Sequence, residues 1–138
     1  MLPPEEARKV VSVIGDSTFV HSGITGLVEM VYNPPKTGHV LLIVDNGTTA
    51  MTGLQEHPGT GRTLNHSATG KIVFEDLARS FGIERVDVID AIKDRDGFVK
   101  LLKEDLASGK LCVLIARRPC LLAAKQIREY EAAASKSV

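Results

Sequence analysis

Asp16 and Asn46 stand thirty positions apart, each closing a short apolar run: Val13-Ile14-Gly15-Asp16-Ser17-Thr18 and Leu41-Leu42-Ile43-Val44-Asp45-Asn46-Gly47-Thr48. One oxygen ligand at the tip of each of two neighbouring parallel strands, backed by small hydroxylated residues, is what a Mg²⁺-bridged diphosphate requires. Mg²⁺ is small and hard, prefers octahedral oxygen ligation, and is commonly held by one or two protein groups together with phosphate oxygens. Asp16 supplies the charged ligand, the Asn46 amide oxygen a second, and the Thr48 main-chain carbonyl a third. Backbone N–H groups near Ser17, Gly47 and Thr49, with the N-terminus of the following helix, suit the remaining phosphate oxygens. Such a site binds phosphates but performs no chemistry. Taken singly, both motifs have plainer readings. Gly-Asp after a strand often merely caps the next turn, and Asp45-Asn46-Gly47 is good turn chemistry in its own right. The pairing, each motif after its own strand, is what points to a ligand.

A parallel sheet must place those tips side by side. Short β-branched runs alternate with helical patterns, the signature of an α/β fold: a three-layer parallel sheet with helices on both faces. Val10 to Ile14 is the first predicted strand, apolar without alternation, as expected of a strand buried on both faces. Ser22 to Tyr32 carries Ile24, Leu27, Val28 and Val31 at helical spacing and is stopped by Asn33-Pro34-Pro35. Val40 to Val44 is the second strand. Asn46 to Ser67 follows, rich in Gly, Thr and His and almost without periodicity; a loop of that length in a compact domain usually binds something or covers a site. Ile72, Val73, Leu77 and Phe81 predict a helix closed by Gly82, and Val86 to Ile89 a third strand. Asp96 is expected to cap a helix that turns Phe98, Val99, Leu101, Leu102 and Leu106 to the core and ends at Gly109. Leu111 to Ala116 is the fourth strand, broken by Arg117-Arg118-Pro119, and Leu121 to about Ala134 reads as a terminal helix.

Bulk properties narrow the function. With 138 residues and 43% hydrophobic content the chain builds one ordinary core, so residues 1–138 are expected to form a single domain. The 17 basic and 17 acidic residues balance, and no basic field calls for nucleic acid or an anionic membrane surface. Cys112 and Cys120 lack metal-ligand spacing and are too few for a disulfide scaffold, which suits a reducing cytoplasm. No apolar stretch approaches membrane-spanning length, and the opening Met1-Leu2-Pro3-Pro4-Glu5-Glu6 lacks a signal pattern.

Gly15-Asp16-Ser17, followed thirty residues on by Asp45-Asn46, resembles the thiamine diphosphate binding motif, which usually opens Gly-Asp-Gly and ends with Asn; Ser17 replaces the second glycine. The strings Gly-Asp-Ser-Thr-Phe-Val-His-Ser-Gly-Ile (15 to 24) and Asp-Asn-Gly-Thr-Thr-Ala-Met-Thr-Gly-Leu-Gln-Glu-His-Pro-Gly-Thr-Gly (45 to 61) are similar to those of the large, thiamine-dependent subunit of the indolepyruvate ferredoxin oxidoreductases. Leu77 to Gly82 and Cys112 to Cys120 extend the likeness over nearly the whole chain. The resemblance implies a thiamine diphosphate-binding fold, incomplete at its N-terminus, from an enzyme that oxidatively decarboxylates aryl 2-oxoacids. Coenzyme A would be the acyl acceptor and ferredoxin the electron acceptor. It makes Asp16, Asn46 and Thr48 the metal ligands, and Gly15, Asp16, Ser17, Thr18, Asn46, Thr48, Thr49, Met51 and Thr52 the cofactor-binding residues. It also implies a partner: the activating glutamate belongs to a pyrimidine-binding domain, and the iron-sulfur clusters to a cysteine-rich module, both expected outside these 138 residues. Alone, the chain would be an inactive fragment, and the alternative is a noncatalytic module that binds a diphosphate ligand or another subunit. Apolar surface where an earlier strand should pack would promote association into an oligomer.

Other residues carry two readings each. His21 and His57 are candidates for proton transfer or for anion binding near the substrate, against an ordinary turn or surface role. Met51 is expected in an apolar pocket wall. Thr49 and Thr52 either donate to phosphate or satisfy the loop's own backbone. Arg117 and Arg118 either hold a coenzyme A phosphate or partner surface, or form a solvated strand end.

Overall fold

The computed structural model describes residues 9–134. Strands β1 (Val10–Gly15), β2 (His39–Asp45), β3 (Val86–Ile89) and β4 (Leu111–Arg117) form one sheet in the order β1-β2-β4-β3, every neighbouring pair parallel. The helices are α1 (Asp16–Thr18), α2 (Ile24–Tyr32), α3 (Phe74–Ser80), α4 (Arg95–Ala107) and α5 (Ala124–Ala134), with a π-helical turn over Phe19–Gly23. Because the strands run the same way, their C-terminal tips share one edge of the sheet. The register that sets Gly15 beside Val44 brings Asp16 next to Asp45 and Asn46.

Successive residues of a strand face opposite sides, and both sides of the central pair are covered. On one, Leu41, Ile43, Val113 and Ile115 pack with Phe19, Leu27, Phe74 and Ala78. On the other, Val40, Cys112 and Leu114 meet Phe98, Leu101, Leu102 and Leu106 of α4. This is the three-layer arrangement expected from the sequence. Phe19 and Phe74 meet edge to face with ring centroids 5.3 Å apart, and burying each contributes about 1.5–3 kcal/mol. That contact fastens the helical segment after Asp16 to α3, beneath the long loop.

Several elements differ from expectation. β1 is an edge strand among the described residues: Val11 and Val13, on the α4 side, are 38% and 64% exposed, so it is not buried on both faces. An apolar run does not reveal how many neighbours it has. Helical geometry begins at Asp16 rather than Ser22, because an acidic residue in the first turn complements the helix dipole and Phe19 anchors that turn in the core. The π turn then closes with the Ile24 N–H donating to the Phe19 carbonyl. Asp94, not Asp96, caps α4, its Oδ1 accepting the Gly97 N–H at 2.9 Å. The last helix starts at Ala124; Leu121 and Leu122 precede it and are exposed. Both cysteines are free, and burial pushes the Cys112 thiol up.

Candidate functional site

Asp16 is the hub of the β1 and β2 tips. Its side chain is 5% exposed. Oδ1 accepts the Ser17 N–H at 2.8 Å, and Oδ2 accepts the N–H groups of Asn46 at 3.1 Å and Gly47 at 2.9 Å. One carboxylate thus ties together residues thirty positions apart in sequence. Gly47, at φ +73°, takes the left-handed conformation that glycine adopts without strain, and its N–H also lies 3.2 Å from Asp45 Oδ1. The Asn46 side-chain oxygen accepts the Thr48 N–H at 3.0 Å, which fixes the amide above the turn. Burial raises the Asp16 carboxyl pKa, but the His57 imidazole and the Ser17 and Gly47 N–H groups outweigh it and hold the group below its ordinary value.

The loop closes over this hub with polar contacts. The His57 ring is fully buried, with Nε2 3.3 Å from Asp16 Oδ2 and Nδ1 accepting the Gly59 N–H at 3.2 Å. A Cβ on Gly59 would collide with the Phe74 ring, so glycine is needed where the loop crosses the core. Glu56, 7% exposed, accepts from Arg62 Nε at 2.8 Å and pairs with His66 Nδ1 at 2.9 Å. Burial raises the Glu56 pKa, and hydrogen bonds from Arg62, His66 and Thr60 more than reverse it. Arg62 Nη2 also donates to the Gly47 carbonyl at 3.4 Å, and His66 stacks on Tyr130 of α5 at 4.1 Å. The loop is therefore cross-linked from the Gly47 turn to the last helix.

Among the described residues no three His, Cys, Asp or Glu side chains gather into a metal-holding group. A cation at this edge has to be held by one carboxylate with amide and main-chain oxygens, an all-oxygen set that suits Mg²⁺ and not zinc. Asp16 Oδ1 accepts a single N–H and retains a lone pair. By donor chemistry, Asp16, Asn46 and Thr48 fit a Mg²⁺-bound diphosphate.

Comparison with known proteins identifies the kind of domain that carries these residues. Residues 1–116 match the family model of the C-terminal TPP binding domain of thiamine pyrophosphate enzymes. The chain belongs to this family. A protein of Archaeoglobus fulgidus named indolepyruvate oxidoreductase subunit IorA is 41% identical over 124 residues, 90% of this chain and 19% of that protein. Proteins of the same name from Methanothermobacter marburgensis and Pyrococcus horikoshii are 37% and 36% identical, over 88% and 86% of the chain. The chain spans about a fifth of the length of the curated relatives it matches.

Within this thiamine pyrophosphate-binding domain, the geometry sorts the residues singled out in the sequence. Asp16, Asn46 and Thr48 come together, with Gly15, Ser17 and Thr18 beside them at the start of α1. The N–H groups of Ser17, Gly47 and Thr49, expected to meet phosphate, are engaged within the chain; that of Thr49 donates to the Gln55 carbonyl at 3.0 Å. Backbone N–H groups in a folded loop must find acceptors. The Thr52 hydroxyl donates to Gln55 Oε1 at 2.6 Å, satisfying the loop itself. Met51 is 100% exposed and forms no pocket wall. His21 is exposed on the π turn and lines a cavity of about 330 Å³ with Glu56, His57 and Arg62.

Both arginines at the end of β4, Arg117 as its last residue and Arg118 just beyond it, are occupied by carboxylates instead of being left for a phosphate. Arg117 donates from Nε to Asp45 Oδ2 at 2.7 Å, and from Nη1 and Nη2 to Glu75 at 2.9 and 2.7 Å. The Arg117 fork holds the Glu75 carboxyl down at about 2. Arg118 Nη1 lies 3.1 Å from both oxygens of Asp90. Glu56, Arg62 and Glu75 are the structural members of the site that sequence reasoning missed. Their only signal was charge within or beside an apolar or Gly-rich segment, which is too common to single them out.

Proposed function

We propose that the chain is the Mg²⁺- and diphosphate-binding part of a thiamine diphosphate-dependent 2-oxoacid:ferredoxin oxidoreductase that converts aryl 2-oxoacids, indolepyruvate first, to acyl-coenzyme A. The observation that carries this reading is the Asp16 carboxylate: buried, bound to the Asn46–Gly47 turn through Oδ2, and with a lone pair left on Oδ1. The name of the relatives supports the substrate, and the family supports the cofactor.

When bound, thiamine diphosphate supplies the carbon nucleophile and electron sink for decarboxylation, which no side chain can supply. The chain's own residues bind and orient. Asp16, the Asn46 amide oxygen and the Thr48 carbonyl would hold the cation, with Gly15 at the strand tip and Ser17 and Thr18 in the first turn of α1 beside them. Thr49, Met51 and Thr52 lie further along the same loop and would reach the cofactor only if that segment rearranged on binding. The loop's internal bonds keep the cation-holding groups in place before the ligand arrives, so that little ordering of them is needed on binding.

Ferredoxin, coenzyme A, iron-sulfur clusters and a complementary pyrimidine-binding domain belong, in this reading, to the whole protein and its assembly, and the chain alone binds without turnover. Free cysteines suit a cytoplasmic setting. No helix among the described residues is long and apolar enough to cross a membrane. A second reading, a subunit-interaction module, is favoured by the exposed Val11, Val13 and Val44 on one side of the β1 edge. Calorimetric titration of the 138-residue chain with thiamine diphosphate, with and without Mg²⁺, separates the two. The cofactor reading requires Mg²⁺-dependent binding; a folded chain that binds nothing but associates with itself or a partner leaves only the second.

A further inference from the structure

The His57 side chain has 0% exposure, and its ring is spent on contacts inside the chain. Because the Gly59 N–H donates to Nδ1, Nδ1 is an acceptor, and the ring proton sits on Nε2. Nε2 faces Asp16 Oδ2 at 3.3 Å and has no other partner; its N–H lies off the line of a well-formed hydrogen bond. The backbone around the ring is locked as well. The Thr60 N–H and hydroxyl both donate to the His57 carbonyl at 2.9 Å, the Ile72 N–H donates to the Pro58 carbonyl at 2.9 Å, and Gly59 lies against Phe74. A general acid or base needs to reach a reacting atom. With Nδ1 taken by the Gly59 N–H, the one ring N–H left to donate faces a carboxylate.

The donors around Asp16 are divided unequally. Oδ2 is faced by the Asn46 and Gly47 N–H groups and by His57 Nε2, whereas Oδ1 accepts the Ser17 N–H alone. We propose that His57 is a positioning residue that loads Oδ2 so that Oδ1 alone is offered to the cation, and thereby sets how much Mg²⁺ the site needs. The proposal rests on the cofactor reading above, with Asp16 as a metal ligand. Donors behind a ligating group orient it and change metal affinity about 10- to 100-fold when removed.

The test compares His57→Gln, whose amide nitrogen can replace Nε2, with His57→Asn, whose shorter amide reaches only the Nδ1 position. Each variant is titrated with Mg²⁺ at fixed thiamine diphosphate and followed by calorimetry, with urea midpoints recorded alongside. His57→Asn should raise the Mg²⁺ requirement about 10- to 100-fold, His57→Gln should stay close to the wild-type value, and adding His57→Asn to Asp16→Asn should cost nothing further. Equal loss in both single variants, or an unchanged Mg²⁺ requirement in a folded His57→Asn chain, overturns the proposal. Should His57→Asn fail to fold, nitrogen-15 NMR of the wild-type imidazole decides: a proton on Nε2 supports the assignment and a proton on Nδ1 overturns it. A wild-type chain without Mg²⁺-dependent binding overturns the cofactor reading itself and this inference with it, whereas Mg²⁺-dependent binding indifferent to His57 overturns this inference alone.

Discussion

The tips of β1 and β2 and the tips of β4 and β3 lie along one edge of one sheet and are both rich in charge, yet they are finished in opposite ways. At β4 every cation is matched: Arg117 is shared between Asp45 and Glu75, and Arg118 pairs with Asp90. At β1 and β2 the central group is an anion, and it is matched by N–H dipoles and an imidazole instead of by a cation. Ion pairs close a surface, because each charge has its counter-charge. A carboxylate held by dipoles keeps its charge and a lone pair for something else. The first arrangement is a brace and the second, in the function proposed above, a socket.

Removing a brace should therefore cost stability, and removing a socket residue should cost binding. The largest effect on folding is expected for Arg117→Leu, which strands the buried Asp45 and the half-buried Glu75. Breaking a buried pair from one side costs 3–5 kcal/mol, and with the guanidinium 32% exposed we expect about 2–3 kcal/mol by urea denaturation, with Mg²⁺-dependent binding retained in the folded fraction. If binding were lost and stability kept, the division between brace and socket would fail.

Gly59→Ala joins the two regions, since the added methyl meets Phe74 below and presses on the segment that carries His57. Overpacking of this kind costs about 1–3 kcal/mol. It should lower the thermal midpoint and weaken cofactor binding together, unlike Arg117→Leu.

The brace also predicts a pH dependence. The folded Glu75 pKa is depressed from 4.5 to about 2, so its contribution to stability is full above about 4.5 and is lost as pH falls from there through about 2. Chemical denaturation of wild type and Glu75→Gln across that window should show the two curves converging at the acid end. Parallel curves would mean that the Arg117 pair contributes nothing.

Asn46→Ala removes the acceptor of the Thr48 N–H and should cost only about 1 kcal/mol of stability. It should nevertheless weaken Mg²⁺-dependent binding more than Arg117→Leu does. The smallest effect is expected for Val13→Thr on the exposed side of β1, within about 0.5 kcal/mol.

Much of this could be read from the chain beforehand, and the remainder shows where sequence signals end. The four strands were readable because β-branched runs are a local property. The meeting of Asp16 with the Asn46 turn was readable because each follows a strand at a spacing that a parallel sheet makes adjacent. The helix start was not, since Gly-Asp-Ser-Thr is turn chemistry until Phe19 is known to be buried. Asp94 and Asp96 are equally good caps on paper, and only the position of the Gly97 N–H decides between them. The Glu56, Arg62 and His66 cluster lies in an aperiodic loop whose contacts span six to ten residues, a separation that leaves no pattern. The exposed edge of β1 was hidden for another reason: a run of valines looks the same whether or not a neighbour covers it.

The central claim is that the Asp16 carboxylate holds a divalent cation shared with the diphosphate. Electron paramagnetic resonance of Mn²⁺, titrated into the chain with and without thiamine diphosphate, tests it most directly. Wild type should bind Mn²⁺ more tightly when the cofactor is present and, by reciprocity, bind the cofactor more tightly when Mn²⁺ is present by the same factor. A folded Asp16→Asn chain should lose that coupling. If Asp16→Asn retains the full mutual enhancement, the carboxylate is not the metal ligand and the account is wrong.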